Sequence, residues 1–126
     1  MIVGIGVDLV EIARVRRTLV RFGDRFVQKV LSGPETNLFS QTGEDPAWLA
    51  KRFAAKEAAA KALGTGMRQG VYFPQITIER SRGGPPQLVL SGVAEQTAIS
   101  LGATRFHVSL SDEVDYAMAF VVLEGL

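Results

Sequence analysis

Glu57 and Lys61 stand four residues apart in the run Arg52-Phe53-Ala54-Ala55-Lys56-Glu57-Ala58-Ala59-Ala60-Lys61-Ala62-Leu63-Gly64-Thr65-Gly66. On a helix that spacing puts both on one face, a carboxylate for a metal ion beside a cation for a phosphate. The surrounding alanines carry little bulk, so something can approach the helix closely. A second carboxylate, Asp8, follows Gly4-Ile5-Gly6-Val7. Two carboxylates plus phosphate oxygens and water are the usual ligands of Mg²⁺, so Asp8 and Glu57 are the candidate metal ligands. Arg52 and Lys61 are candidate phosphate contacts. Gly64 and Gly66 would let backbone approach a phosphate, although Gly64 also suits a helix C-cap. No GxxxxGK[ST] loop is present.

Each of these residues has a plainer role to weigh. Asp8-Leu9-Val10-Glu11 fits a capping box, which would make Asp8 a helix N-cap. Glu57 with Lys61 is also an ordinary surface ion pair, worth a few tenths of a kcal/mol. The single histidine lies in His107-Val108-Ser109-Leu110-Ser111-Asp112, where alternation sends His107, Ser109 and Ser111 to one face of a strand. A serine two residues along a strand from a histidine is no nucleophile elbow, so a hydrolytic triad is disfavoured. His107 is either structural or, protonated, an anion contact. Arg14, Arg17 and Arg21 form a stripe, extended by Arg25, that is either a solvated face or a dock for an acidic partner.

The elements that must position these groups follow from punctuation and periodicity. Ile2 to Val7 reads as a buried strand whose glycines admit a neighbouring backbone. A helix is predicted from the Asp8 cap to Phe22, stopped by Gly23, and a short one from Asp24 to Leu31. Ser32-Gly33-Pro34-Glu35 reads as a turn before a helix over Thr36 to Gln41. Asp45-Pro46 opens a long central helix, about 46–63, closed by Gly64. Ile76 to Arg80 and Gln87 to Leu90 read as a hairpin, Ser91 to Leu101 as a helix, and Arg105 to Leu110 with Tyr116 to Leu123 as two closing strands. The pattern implies an α+β fold: a compact single domain over residues 1–126, with a mostly antiparallel sheet and helices packed on one face.

Composition narrows the function classes. The chain has 126 residues, 47% hydrophobic and 21% charged, as an ordinary globular protein does. A net charge of +1 does not suggest a nucleic-acid partner. The chain has no cysteine, which excludes disulfides and thiolate metal sites and fits a cytoplasmic protein. The longest apolar run, Ala117 to Leu123, is too short for a membrane span, and no signal peptide is expected. A dinucleotide-binding reading fails because Gly4-Ile5-Gly6 continues as Val7-Asp8. A non-catalytic binding module would not need both Asp8 and Glu57.

Three blocks taken together resemble the holo-acyl-carrier-protein synthases, the small class of 4′-phosphopantetheinyl transferases. They are Gly4-Ile5-Gly6-Val7-Asp8 with Glu11 and Arg14; Arg52 through Lys61 to Gly66; and His107 to Asp112 with Tyr116-Ala117. The resemblance implies the 4′-phosphopantetheinyl transferase fold. It also implies an Mg²⁺-dependent transfer of phosphopantetheine from coenzyme A to a serine of apo acyl carrier protein, with adenosine 3′,5′-bisphosphate released, in support of fatty acid biosynthesis. Asp8, Glu57 and Lys61 would be catalytic, with Asp8 and Glu57 on the metal. Arg52, Lys61, Gly64, Gly66 and His107 would meet the phosphates of coenzyme A, Arg52 and His107 the 3′-phosphate. Arg14, Arg17, Arg21 and Arg25 would dock the carrier protein. A homotrimer is implied, with sites between subunits, Asp8 and His107 from one and Glu57 from its neighbour. The acceptor of the serine proton stays open between Glu57 and a water it orients. One departure stands out: the run Gly84-Pro85-Pro86 lacks the basic residue the family often carries in that turn.

Overall fold

The computed structural model describes all 126 residues. A three-stranded antiparallel sheet is built from β1 (Ile2–Glu11), β5 (Tyr116–Gly125) and β4 (Ala103–Asp112), in that order. A separate hairpin pairs β2 (Ile76–Arg80) with β3 (Pro86–Leu90). Five helices intervene: α1 (Ile12–Phe22), α2 (Asp24–Val30), α3 (Gly33–Gln41), α4 (Pro46–Leu63) and α5 (Gly92–Ser100). The α+β class and the antiparallel pairing agree with the sequence, although the strands form two sheets rather than one.

Helix α4 is the spine. Asp45 caps it by accepting the Ala47 N–H at 3.0 Å, Pro46 occupies its first turn, and Gly64 ends it in the left-handed conformation at φ 84°. Its alanines Ala54, Ala55, Ala58, Ala59 and Ala62 are buried against β1 and β5. On β5 the inward residues are Ala117, Ala119, Val121 and Leu123, all with no exposed surface. Small residues on both sides let helix and sheet meet almost backbone to backbone. The approach is closest at β1: a Cβ on Gly6 would lie 1.8 Å from the Ala58 carbonyl oxygen, and one on Gly4 2.2 Å from that of Ala62. Only glycine fits at either position.

The opposite face of the sheet has no helix over it. Ile5, Val7, Leu9, Met118 and Phe120 project there, each between 43% and 63% exposed. No helix is long and apolar enough to cross a membrane.

Most element ends fall within two residues of those expected, and two boundaries differ by more. β1 runs on to Glu11, so Asp8 lies within a strand, paired across to Ala119, and is not an N-cap. α1 begins only at Ile12 and has no side-chain cap. The capping box of this chain is elsewhere: Ser32 and Glu35 form one at the start of α3, which therefore begins at Gly33, three residues before the predicted Thr36.

Candidate active site

Gly4, Gly6 and Asp8 alternate onto the same face of β1, the face laid on α4. The glycines bring the strand onto the helix, and Asp8 follows onto the next turn. There Lys61 donates from Nζ to Asp8 Oδ1 at 2.9 Å and to the Val7 carbonyl at 3.0 Å. Glu57, one turn before Lys61, faces the same place. Burial holds its carboxyl above the usual glutamate range, the negative charge of Asp8 adds to the rise, and Lys61 and Arg14 oppose it. Glu57 has no hydrogen-bond or ion-pair partner of its own.

Two mutually repelling carboxylates with one lysine between them suit a divalent cation electrostatically. No third acidic or imidazole ligand joins them. That matches Mg²⁺, which takes one or two carboxylates and completes its shell with phosphate oxygens and water. The residues present therefore fit this metal. Asp8 and Glu57 come together within one chain, which corrects the expectation that they belong to different subunits.

Beside Glu57 opens a cavity of about 480 Å³, walled by Phe22, Phe26, Phe53 and Phe73 and rimmed by Arg25 and Lys29. Phe53 stacks on Phe73 with ring centres 5.3 Å apart and lies 6.3 Å from Phe26. Arg14 and Thr18 of α1 continue the wall towards Val10. Arg25 and Arg14 of the arginine stripe thus border an aromatic hollow that reaches Glu57. Arg21 lies over the Phe22 ring, while Arg17 turns to Glu11 at 3.4 Å. Sequence reasoning singled out the arginines but not the phenylalanines, whose spread over α1, α2, α4 and the turn before β2 hides their convergence.

The remaining predicted residues lie apart from this cluster. Arg52 is only 6% exposed; its guanidinium sits 3.8 Å from the Trp48 ring centre, and its Nε is 3.7 Å from Glu35. At 3.6 residues per turn it lies about 140° round α4 from Glu57. Its Nε is buried with no hydrogen-bond partner. His107 stands on the uncovered face of the sheet, aligned with Val122 and through it with Ile5, whereas Asp8 is on the helix face. Within one chain, His107 and Asp8 cannot share a ligand-sized site. His107 Nε2 lies 3.1 Å from Glu124 Oε1. Gly64 and Gly66 keep positive φ, 84° and 63°, with open space where a Cβ would be, and the Gly66 N–H donates to the Ala60 carbonyl.

Buried behind the site is a network that the sequence reading did not anticipate. Glu35 accepts from Ser32 N–H, Ser32 Oγ, Lys56 Nζ and Ile78 N–H, the lysine bond measuring 2.6 Å. Glu35 and Lys56 have no exposed surface.

A model of the 4′-phosphopantetheinyl transferase superfamily matches residues 4–121. The chain is 50% identical to the holo-[acyl-carrier-protein] synthase of Vibrio parahaemolyticus over 124 residues, covering 98% of both chains. A crystal structure of the Neisseria meningitidis holo-[acyl-carrier-protein] synthase superposes with TM-score 0.91 at 42% identity, covering 98% of this chain and 99% of that one. The Bacillus anthracis enzyme, solved in complex with coenzyme A (3′,5′-ADP), superposes with TM-score 0.82 at 34% identity, covering 100% and 99%. The fold, the paired carboxylates on β1 and α4, and these similarities place the chain in the 4′-phosphopantetheinyl transferase superfamily, as a transferase of its holo-acyl-carrier-protein synthase family.

Proposed function

We propose that this protein transfers 4′-phosphopantetheine from coenzyme A to a serine of apo acyl carrier protein. The observation that carries the reading is the cluster of Asp8, Glu57 and Lys61 where β1 crosses α4. Phosphoryl transfer asks a protein for positioning and charge stabilisation more than for a covalent nucleophile. The serine oxygen attacks the phosphorus bearing the pantetheine arm. The bond from that phosphorus to the bridging oxygen breaks, and adenosine 3′,5′-bisphosphate leaves. Asp8 and Glu57 would hold Mg²⁺, which when bound neutralises pyrophosphate oxygens. Lys61 adds a fixed cation beside them. Glu57, which has no side-chain partner in the free chain, would receive the serine proton directly or through a water it orients.

Coenzyme A would span two subunits of a homotrimer. The uncovered apolar face of the sheet supports association, because a patch of that kind on a small chain marks an interface. His107 lies on that face, so a neighbouring copy is the means by which it reaches a site containing Asp8. Arg52 and Lys56 share the single carboxylate of Glu35, with Arg80 close enough to add to the positive charge felt by Arg52. That surplus supports a 3′-phosphate contact at Arg52, although its burial requires the phosphate to come to it. The carrier protein would dock along α1 and α2 through Arg14, Arg17, Arg21 and Arg25. On this reading the protein works in the cytoplasm, in support of fatty acid biosynthesis.

The test is intact mass spectrometry of apo acyl carrier protein incubated with the protein, coenzyme A and Mg²⁺, beside a chelator control. A phosphopantetheine-sized gain, lost with chelator, is expected; no gain with carriers of fatty-acid or polyketide type would return Asp8 and Glu57 to a binding role. Docking is best probed at Arg21, because Arg14 also acts on the charge of Glu57. Arg21→Glu should raise KM for the carrier protein and leave that for coenzyme A unchanged; an unaltered carrier KM would remove Arg21 from the dock.

A further inference from the structure

Lys56 adjoins the candidate metal ligand Glu57 in sequence but points the other way. Its Nζ has no exposed surface, bonds Glu35 Oε1 at 2.6 Å and the Phe73 carbonyl at 3.1 Å, and so meets no solvent from which a substrate could arrive. Its anchor is fixed on two more sides, since Glu35 also holds the first turn of α3 through Ser32 and the start of β2 through the Ile78 N–H. The helix needs such an anchor. The face of α4 laid on the sheet is almost all alanine, packed on Gly4, Gly6, Ala117 and Ala119 beside the larger Val121 and Leu123, so the helix itself brings few knobs to resist rolling or sliding. Phe73, which takes the lysine bond, also stacks on Phe53 and walls the cavity that ends at Glu57.

We propose that Lys56 is a positioning residue for the transfer: tethered to Glu35 and Phe73, it sets the roll of α4 about its axis and so the place of Glu57 and Lys61 opposite Asp8. The tether itself is a property of the fold; its consequence for turnover rests on the transferase reading. Lys56 touches neither phosphate nor metal. Glu35 and Ser32, farther from the cavity, belong to the same device.

Two measurements test this. First, the protein is treated with an amine-acetylating ester, free and with coenzyme A and Mg²⁺, and modified lysines are read by peptide mass spectrometry. Lys61, with half its side chain exposed, should be modified when free and protected by ligand; Lys56 should stay unmodified in both. Modification of Lys56 in the free protein with protection by coenzyme A would make it a substrate contact and overturn the proposal. Second, the double variant Lys56→Met/Glu35→Gln, which avoids burying a lone charge, is compared with Ser32→Ala, which only loosens the anchor. The double variant, where it folds, should lose roughly 10- to 100-fold in kcat with KM for the carrier protein unchanged, the scale of a misplaced catalytic group. Ser32→Ala is judged in either case and should lose kcat severalfold with the same unchanged KM. Wild-type kcat in Ser32→Ala, or in a folded double variant, would overturn the proposal. Wild-type turnover is measured beforehand, so its absence counts against the transferase reading alone. The tether is then judged by the labelling and by calorimetry of coenzyme A with Mg²⁺, where unchanged affinity in the variants would overturn it.

Discussion

Helix α4 carries two acid–lysine clusters built from the same residue types to opposite ends. Around Glu35, four donors converge on one carboxylate, and nothing is exposed. Around Glu57, one turn of helix supplies a carboxylate with no donor at all, pushed towards its protonated form by burial and by Asp8. A satisfied buried carboxylate stabilises a fold; a half-exposed one at the edge of a cavity, with no protein donor, is open to a ligand. Sequence spacing alone does not separate the two. What separates them is the count of donors and the sign of the nearest charge.

The contrast is broken most forcefully at Glu35. Glu35→Ala removes the acceptor for four donors and strands Lys56 in the interior, so unfolding in urea should show a loss of about 3–5 kcal/mol. A loss below about 1 kcal/mol would mean that the network is ornamental. At the other cluster, Asp8→Ala should leave the fold intact and cut transfer by roughly 100-fold or more, the scale of losing one electrostatic stabiliser of a transition state. Full turnover by a folded Asp8→Ala protein, read by the mass-spectrometric assay, would sink the metal assignment. Between the clusters lies Gly6. Gly6→Ala places a methyl group 1.8 Å from the Ala58 carbonyl oxygen, and β1 must lift from α4. Overpacking of this kind costs about 1–3 kcal/mol. Because the lift separates Asp8 from Glu57 and Lys61, kcat should fall as well; a stable variant with unchanged kcat would show that the close approach does not position the site.

Much of this is legible in the sequence. Asp45-Pro46 and Gly64 bound α4 to the residue, because each signal acts within one turn of the helix end it marks. Asp8 was harder, since Asp-Leu-Val-Glu satisfies a capping box as well as it continues a strand. The choice is made by β5, whose residues Tyr116 to Phe120 pair with Glu11 back to Val7. That contact spans most of the chain and leaves no local trace. The Ser32-x-x-Glu35 box carries the same local signal as the false one, yet Gly33-Pro34 reads as a turn. Nothing in the sequence marks Glu35 as buried, because carboxylates are seldom so. Arg52 shows the same blindness: four residues before Lys56, it joins the buried network through a periodicity that also suits a solvated face.

The smallest effect tests the contrast most directly, because it concerns stability and not turnover. In the folded, metal-free chain the Glu57 carboxyl titrates above its ordinary value, through burial first and Asp8 second. Below the unfolded value, near 4.3, the group is protonated in both states and has no influence on stability. As pH rises through that value the unfolded chain ionises first, and stability falls until the folded carboxyl has ionised too. Glu57 therefore destabilises the metal-free protein at neutral pH. Glu57→Gln should lose transfer yet melt higher than the parent at pH 7, with the difference shrinking towards pH 4 when both are scanned in chelator. Adding Mg²⁺ and coenzyme A should raise the parent's Tm more than the variant's, since only the parent has both carboxylates to gain from the cation. A variant that melts lower than its parent at pH 7 would mean that Glu57 is satisfied in the free protein as Glu35 is. The two clusters of α4 would then differ in exposure and not in purpose.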